Sequence, residues 1–223
     1  MQDPVYVKNA FAKIADRYVI TNHVLSLWTD VLWRRRVGRI VKEWAPGKLL
    51  DIATGTGDLA LEFQRVMPDC QVTGSDFCPE MLAYATSRGV QETLVADALN
   101  LPFEDESYDV VTVAFGLRNM ADYPKAVREM YRVLKPGGRL LILDFSLPTN
   151  ILREPYIFYL DQVLPHLAGF ITQQPDAYQY LSESIQAFPS GVEMQSLLRS
   201  EQFVEADCEE LSFGVASVYT AKK

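Results

Sequence analysis

The sequence is short of positive charge, cysteine, histidine and long hydrophobic runs, and each shortage removes a class of protein. Twenty-one Lys and Arg stand against 29 Asp and Glu, a formal charge of −8. The broad basic surface that binds nucleic acid is therefore missing, and no nucleic-acid partner is expected. Three cysteines, Cys70, Cys78 and Cys208, are odd in number and lack metal-ligand spacing; neither a disulfide framework nor a metal site is expected, and the compartment reads as reducing. The two histidines, His23 and His166, read as structural or exposed rather than catalytic. Residues 1–16 scatter charges among the apolar positions, so no secretory signal is visible. No apolar run reaches about 18 residues without a charge, so nothing is long enough to span a bilayer. A cytoplasmic protein is the expectation.

What is present is ordinary globular material: 223 residues, 48% hydrophobic and 22% charged, the length of one open α/β domain. From 8 to 44 apolar residues recur at three and four spacings, which predicts two helices ahead of the first strand. A short apolar run at 48–53 then meets Gly55 and Gly57, and a helical pattern follows to Val66. Strand-like runs at 71–75, 93–96, 109–115 and 139–145 alternate with helical stretches at 79–87 and 123–134. Alternation of this kind predicts a parallel sheet covered on both faces. Residues 151–186 are rich in aromatics and read as inserted helices, and runs at 203–211 and 214–221 predict a closing antiparallel pair. The divisions expected are a helical lid at 1–45, a core at 46–147, a helical insertion at 148–200 and closing strands at 201–223, all within one domain.

The segment from Asp51 to Asp58 sits where a buried strand gives way to a helix, the place at which open α/β sheets bind ligands. Gly55 and Gly57 let a backbone come close to a ligand, with Thr56 between them. Asp76, about twenty residues further on at the end of the next strand, has the position and charge to accept ribose hydroxyls. Ala60 is tolerable where a dinucleotide site wants its third glycine, but Asp58 at the helix start opposes a pyrophosphate. Adenosine joined to an amino acid through a sulfonium avoids that conflict, and its ammonium suits Asp51 directly or through water. Asp97 with Ala98 offers an acceptor for an adenine amino group beside room for the ring; the plainer reading of Asp97 is a helix cap.

The segments FAKIADRY, TNHVLSL and LWRRR near the start, LLDIATGTGDLA, DALNLPFEDESYDVVTVAFGLRN, MYRVLKPGGRLLILDFS and AYQYLSESIQAFP stand out. Together they resemble the quinone-biosynthesis C-methyltransferases, the ubiquinone/menaquinone (UbiE/MenG) family. The glycine turn and VLKPGG are common to many methyltransferases, whereas FGLRN, YLSESI and LWRRR are specific. The resemblance implies an α/β, Rossmann-like class I methyltransferase fold, with a seven-stranded, mostly parallel sheet whose last strand is antiparallel, an N-terminal helical lid and a helical insertion. It implies S-adenosyl-L-methionine as cofactor, held at Thr56 and its flanking glycines, Asp76 with Phe77, Asp97 with Ala98, and Ala114, where members often carry serine. Ala12 and Val19 stand where aspartates are usual, Trp28 where glycine is frequent, Asp144 where glutamate is common, and Glu201-Gln202 in place of an Ala-Gly pair.

The reaction so implied moves a methyl from sulfonium to a ring carbon ortho to a hydroxyl of a lipophilic polyprenylated quinol. Arg118 and Asn119 are the candidate catalytic residues, holding the phenolate oxygen and a water that removes its proton. The plainer reading pairs Arg118 with a structural carboxylate such as Asp122. Aromatics from Tyr156 to Tyr180, with Phe188, are candidates for the pocket around ring and tail, or ordinary core. Arg34, Arg35 and Arg36 read either as a solvated helix face or as a contact for anionic lipid at the inner face of the cell membrane. A naphthoquinol and a benzoquinol ring both remain open, as do O- or N-methylation of a small molecule, a non-catalytic cofactor-binding scaffold and a homodimer.

Overall fold

The five residues that open the sheet already divide its two faces, because successive side chains of a strand point opposite ways. The computed structural model describes residues 29–164 and 175–223. The first of the two N-terminal helices predicted from the sequence, and Ala12, Val19, His23, Trp28, His166 and Phe170, lie outside them. In β1 (Lys48–Ile52) Leu50 and Ile52 join one apolar cluster and Leu49 the other. The first cluster packs under α4 (Tyr123–Val133) through Ala126, Val127 and Met130, and under α7 (Val192–Ser200) through Met194 and Leu198. The second packs under α1 (Thr29–Trp44) through Trp33, Val37 and Val41, a stripe at helical spacing, and under α2 (Asp58–Val66) through Leu59, Ala60 and Phe63.

The remaining core elements are β2 (Gln71–Asp76), α3 (Pro79–Ser87), β3 (Glu92–Val95), β4 (Tyr108–Ala114) and β5 (Leu134–Phe145). Helices α5 (Arg153–Phe158) and α6 (Pro175–Ala187) form the insertion, with a π-helical turn at Tyr159–Val163 between them. Strands β6 (Val204–Leu211) and β7 (Ala216–Lys222) close the fold. The sheet runs β3-β2-β1-β4-β5-β7-β6. Strands β1 to β5 pair in parallel; β7 lies antiparallel between β5 and β6. The expected seven-stranded, mostly parallel sheet with a reversed last strand is what forms. Pro79 and Pro124 start α3 and α4, where a missing N–H costs nothing, and the Asp122 carboxylate caps α4 by accepting from Lys125 N at 2.9 Å.

The strand order reverses between β1 and β4, and two non-glycine residues at those strand ends adopt left-handed backbone: Ala53 at φ 52° and Phe115 at φ 57°. Such conformations cost about 1–3 kcal/mol each and gather where a chain must present groups rather than simply turn.

Candidate active site

The glycine turn follows from what each glycine meets. A Cβ on Gly57 (φ +82°) would lie 2.5 Å from Val90 Cγ2 and 3.1 Å from Ala85 Cβ, so this glycine lets α2 pack tightly on α3 and the segment behind it. A Cβ on Gly55 (φ +57°) would meet nothing nearer than the Ala53 carbonyl at 4.0 Å. Gly57 faces packed protein, and Gly55 faces open space from which a ligand can approach bare backbone. Thr54 N–H to Ser75 O and Gly57 N–H to Thr54 O, each 2.9 Å, fix the turn to the end of β2.

Asp76, 7% exposed, binds this turn to the next one. Its Oδ2 accepts from Gly55 N and its Oδ1 from Cys78 N, both at 2.9 Å. Burial pushes its carboxyl above the usual range against these backbone donors, that of Phe77 included. Each oxygen retains lone-pair capacity for a hydroxyl donor, as a ribose diol requires. Asp97 is exposed and no helix follows it: its Oδ1 accepts from Leu99 N at 2.9 Å, its carbonyl from Asn100 N, and it caps a turn instead of the expected helix. Ala98 and Ala114 are half-buried beside these strand ends. Thr56 turns its hydroxyl to Asp58 Oδ2 (2.8 Å) and its carbonyl to Arg88 (2.7 Å), while Arg88 also pairs with Asp58 at 2.8 Å. Burial raises Asp58, but the charge of Arg34 and the bonds from Arg88 and Thr56 hold its carboxyl below the ordinary range. The start of α2 thus carries an ionised carboxylate where a pyrophosphate would sit, and the donor set suits an adenosyl ligand without phosphate.

Asp51, expected to receive a ligand ammonium directly or through water, lies under the turn and is 1% exposed. Thr54 Oγ1 donates to one oxygen and Thr112 Oγ1 to the other, each at 2.7 Å. Burial pushes its carboxyl up to about 6 against these two bonds. Because the folded value exceeds the unfolded one, near 3.9, the contribution of Asp51 to stability is full below about pH 4 and is lost as pH rises through about 6. The unfolding free energy of the wild type minus that of Asp51→Asn is expected to fall by about 3 kcal/mol across that window. Denaturant titrations at pH 4 and pH 7 check this, and an equal difference at both would show that Asp51 does not ionise there.

Arg118 and Asn119 lie in the short 3₁₀ turn Leu117–Asn119 that follows β4. The carboxylate facing Arg118 is Asp144 at the end of β5, not Asp122: Nη1 donates to Asp144 Oδ1 at 2.7 Å and to the Phe115 carbonyl at 2.6 Å. Asp144 is fully buried and Arg118 7% exposed, with the guanidinium 5.2 Å from the centre of the Phe145 ring. Burial raises the Asp144 carboxyl and the Arg118 charge opposes that rise. Asn119 Nδ2 donates to the Phe115 carbonyl (3.3 Å), and the Tyr180 hydroxyl reaches across from α6 to its Oδ1 (3.1 Å). Tyr156 from α5 is near enough to feel the Arg118 charge and stacks at 6.5 Å on Tyr159; burial raises its phenol, which stays protonated. Phe188 instead joins the core against Tyr123 (5.6 Å). The three consecutive arginines do not form one face: Arg36 pairs with Glu209, Arg35 is exposed, and Arg34 turns inward to Asp30.

The site therefore gathers the C-terminal ends of β1, β2, β4 and β5. Thr112, Arg88 and Asp144 are the members that sequence reasoning missed; Tyr180 was expected as a pocket aromatic, but its bond to Asn119 was not. A threonine inside the apolar strand VVTVAF was a usable signal, since a buried hydroxyl needs a partner.

Residues 1–223 match the profile described as the ubiE/COQ5 methyltransferase family. The demethylmenaquinone methyltransferase of Thermus thermophilus is 45% identical over 219 residues, spanning 96% of this chain and 99% of that protein. The ubiquinone/menaquinone biosynthesis C-methyltransferase UbiE of Geotalea daltonii is 39% identical over 226 residues, spanning 97% and 96%. Among solved structures, an S-adenosylmethionine-dependent methyltransferase of Thermotoga maritima superposes with a TM-score of 0.68 at 22% identity, covering 96% of this chain and 97% of that one. That last likeness concerns the fold.

Proposed function

Since the chain belongs to the ubiE/COQ5 methyltransferase family, we propose that it binds S-adenosyl-L-methionine and methylates a ring carbon of a polyprenylated quinol, demethylmenaquinol before the benzoquinol of the ubiquinone route. The observation that carries this reading is the meeting of the Gly55 turn and Asp76 with the buried Arg118–Asp144 pair at one end of the sheet. The naphthoquinol is placed first because the relative named for demethylmenaquinone is the nearer of the two compared.

When bound, the cofactor supplies an electrophilic methyl on a sulfonium. Asp76 would accept the ribose hydroxyls and Asp97 the adenine amino group, with the backbone at Gly55 bare beneath them. An aromatic carbon becomes a sufficient nucleophile only when the neighbouring hydroxyl loses its proton, so the ring must arrive reduced. Arginine keeps its proton, so Arg118 acts as a donor to the phenolate oxygen and a water held beside Asn119 takes the proton. The methyl would leave its sulfur as the ring carbon takes it, the sulfur keeping the bonding pair as a neutral thioether; the hydrogen on the methylated carbon then leaves as a proton and the ring regains aromaticity. Asp144 neutralises Arg118, so the pair presents directed N–H groups with no net charge, which suits a neutral phenol that turns anionic only as it reacts. Tyr180 fixes the amide of Asn119. Aligning carbon, methyl and sulfur is worth up to about 7–11 kcal/mol, and proton removal about a hundred- to ten-thousandfold; positioning is the larger contribution.

Among the described residues no helix is long and apolar enough to cross a membrane. Ile151, Leu152 and Phe213 are nonetheless 92%, 40% and 77% exposed, and Asn150 Nδ2 donates to the Phe213 carbonyl, which holds the two segments together. We place the membrane contact of the lipid-tailed substrate there.

The test is mass spectrometry of reduced naphthoquinols, reduced benzoquinols, soluble phenols and amines, presented in phospholipid vesicles with label-bearing cofactor. Naphthoquinol one labelled methyl heavier is expected. Methylation of the soluble phenols or amines alone would refute the quinol reading, and cofactor binding without any product would favour a scaffold.

A further inference from the structure

Successive residues of an α-helix lie about 100° apart around its axis, so three neighbouring arginines cannot serve one purpose. In α1, Arg36 makes a two-pronged pair with Glu209 at 2.9 and 2.8 Å, and Arg35 faces solvent. Arg34 does neither. Its side chain is 13% exposed, its Nη1 is held by the buried Asp30, and its guanidinium lies 5.9 Å from the centre of the Phe115 ring. Phe115 is the left-handed residue that follows β4, beside the strand end from which the glycine turn leaves.

That neighbourhood is otherwise anionic, with Asp51 and Asp58 at the two ends of the turn. The charge of Arg34 is felt at both: it offsets the effect of burial at Asp58 and, more weakly, at Asp51. The other cations nearby are engaged, Arg88 by Asp58 and the Thr56 carbonyl, Arg118 by Asp144. A guanidinium carries five N–H groups in a fixed fork. Asp30 takes one nitrogen of Arg34, and among the described residues no other hydrogen-bond acceptor meets the rest.

We infer that Arg34 receives the α-carboxylate of the cofactor's amino-acid end. This rests on the S-adenosylmethionine reading above and adds a residue to it. The amino-acid end is a zwitterion: the acidic surroundings of the turn suit its ammonium, but the same carboxylates repel its carboxylate unless a cation stands opposite. Arg34 is placed for that, and a planar fork beside a carboxylate is the pairing that guanidinium geometry favours.

The test compares S-adenosylmethionine with its decarboxylated analogue, which keeps the adenosine, sulfonium and ammonium, by calorimetric titration of the full chain without quinol. The wild type is expected to prefer S-adenosylmethionine by about tenfold to a hundredfold. Arg34→Gln is expected to erase that preference by weakening S-adenosylmethionine alone, with the decarboxylated analogue bound as before, which also certifies the fold. Arg34→Lys should recover part of the loss. Equal weakening of both ligands in Arg34→Gln and Arg34→Lys would mean that Arg34 only props the turn, and an unchanged preference would mean that the carboxylate binds elsewhere; either result overturns the inference. Failure of the wild type to bind either ligand would overturn the cofactor reading itself, and the Arg34 role with it.

Discussion

Arg118→Ala is expected to lower turnover by about a hundred- to a thousandfold, the loss typical of removing one donor to a developing oxyanion. Cofactor affinity should remain close to that of the wild type. The same change strands the fully buried Asp144 without its counter-charge, and breaking a buried pair from one side costs about 3–5 kcal/mol of stability. Activity could then fall simply because the protein loosens, so a second variant is needed. Arg118→Met combined with Asp144→Leu replaces both charges by apolar groups of similar volume, a change that is often neutral or stabilising. The double variant should recover the unfolding midpoint and stay as inactive as Arg118→Ala. If single-turnover rates recovered along with stability, Arg118 would be no more than a clasp between the turn after β4 and the end of β5.

Asp76→Ala is expected to weaken S-adenosylmethionine by about two to four orders of magnitude, because two hydrogen bonds to a charged acceptor are each worth about 1.5–3 kcal/mol. It also releases Gly55 N and Cys78 N, the two backbone donors that give the turns their spacing. Asp76→Asn keeps the shape and one acceptor oxygen, and should lose less. Burial raises the Asp76 carboxyl, so at neutral pH its charge opposes the ligand-free fold. Asp76→Asn without ligand removes that charge but sets an amide donor against one of the two backbone N–H groups, so it should melt close to the wild type while binding worse. Calorimetric affinities paired with thermal melts check both halves, and affinity within about threefold of the wild type in Asp76→Ala would remove Asp76 from the ribose site.

Features that depend on a few consecutive residues were readable from the sequence. Strand, glycine turn and helix at 48–66 are fixed locally by an apolar run, a bare backbone and a 3.6-residue period, and Asp76 follows because the next strand must end level with the first. What escaped depends on strand register. Asp51 lies beside Thr112 because β1 pairs with β4 in that alignment, 61 residues apart in sequence, and the pattern that suggested an ammonium partner could not show a carboxylate already holding two hydroxyls. Arg118 meets Asp144 across 26 residues for the same reason: Ala114 pairs with Leu143, which brings the ends of β4 and β5 level. Asp122 was nearer in sequence but is occupied capping α4. The arginine run was partly readable, since helical rotation alone separates Arg34 from Arg36 by about 200°; that Arg34 takes the inward side follows from Trp33 and Val37 packing on the sheet.

Trp33 has a further use. Its indole is 4% exposed, lies 6.1 Å from both the Phe115 and the Phe145 rings, and donates from Nε1 to Ser212 Oγ at 2.9 Å. Those same rings flank the guanidinium groups of Arg34 and Arg118. A fluorophore is thus wedged beside the ends of β4 and β5, between the proposed cofactor and substrate residues, buried and held by one polar anchor. Its emission should shift when a ligand occupies the proposed site, a shift lost in Trp33→Phe, which would give an optical gauge with no dye attached.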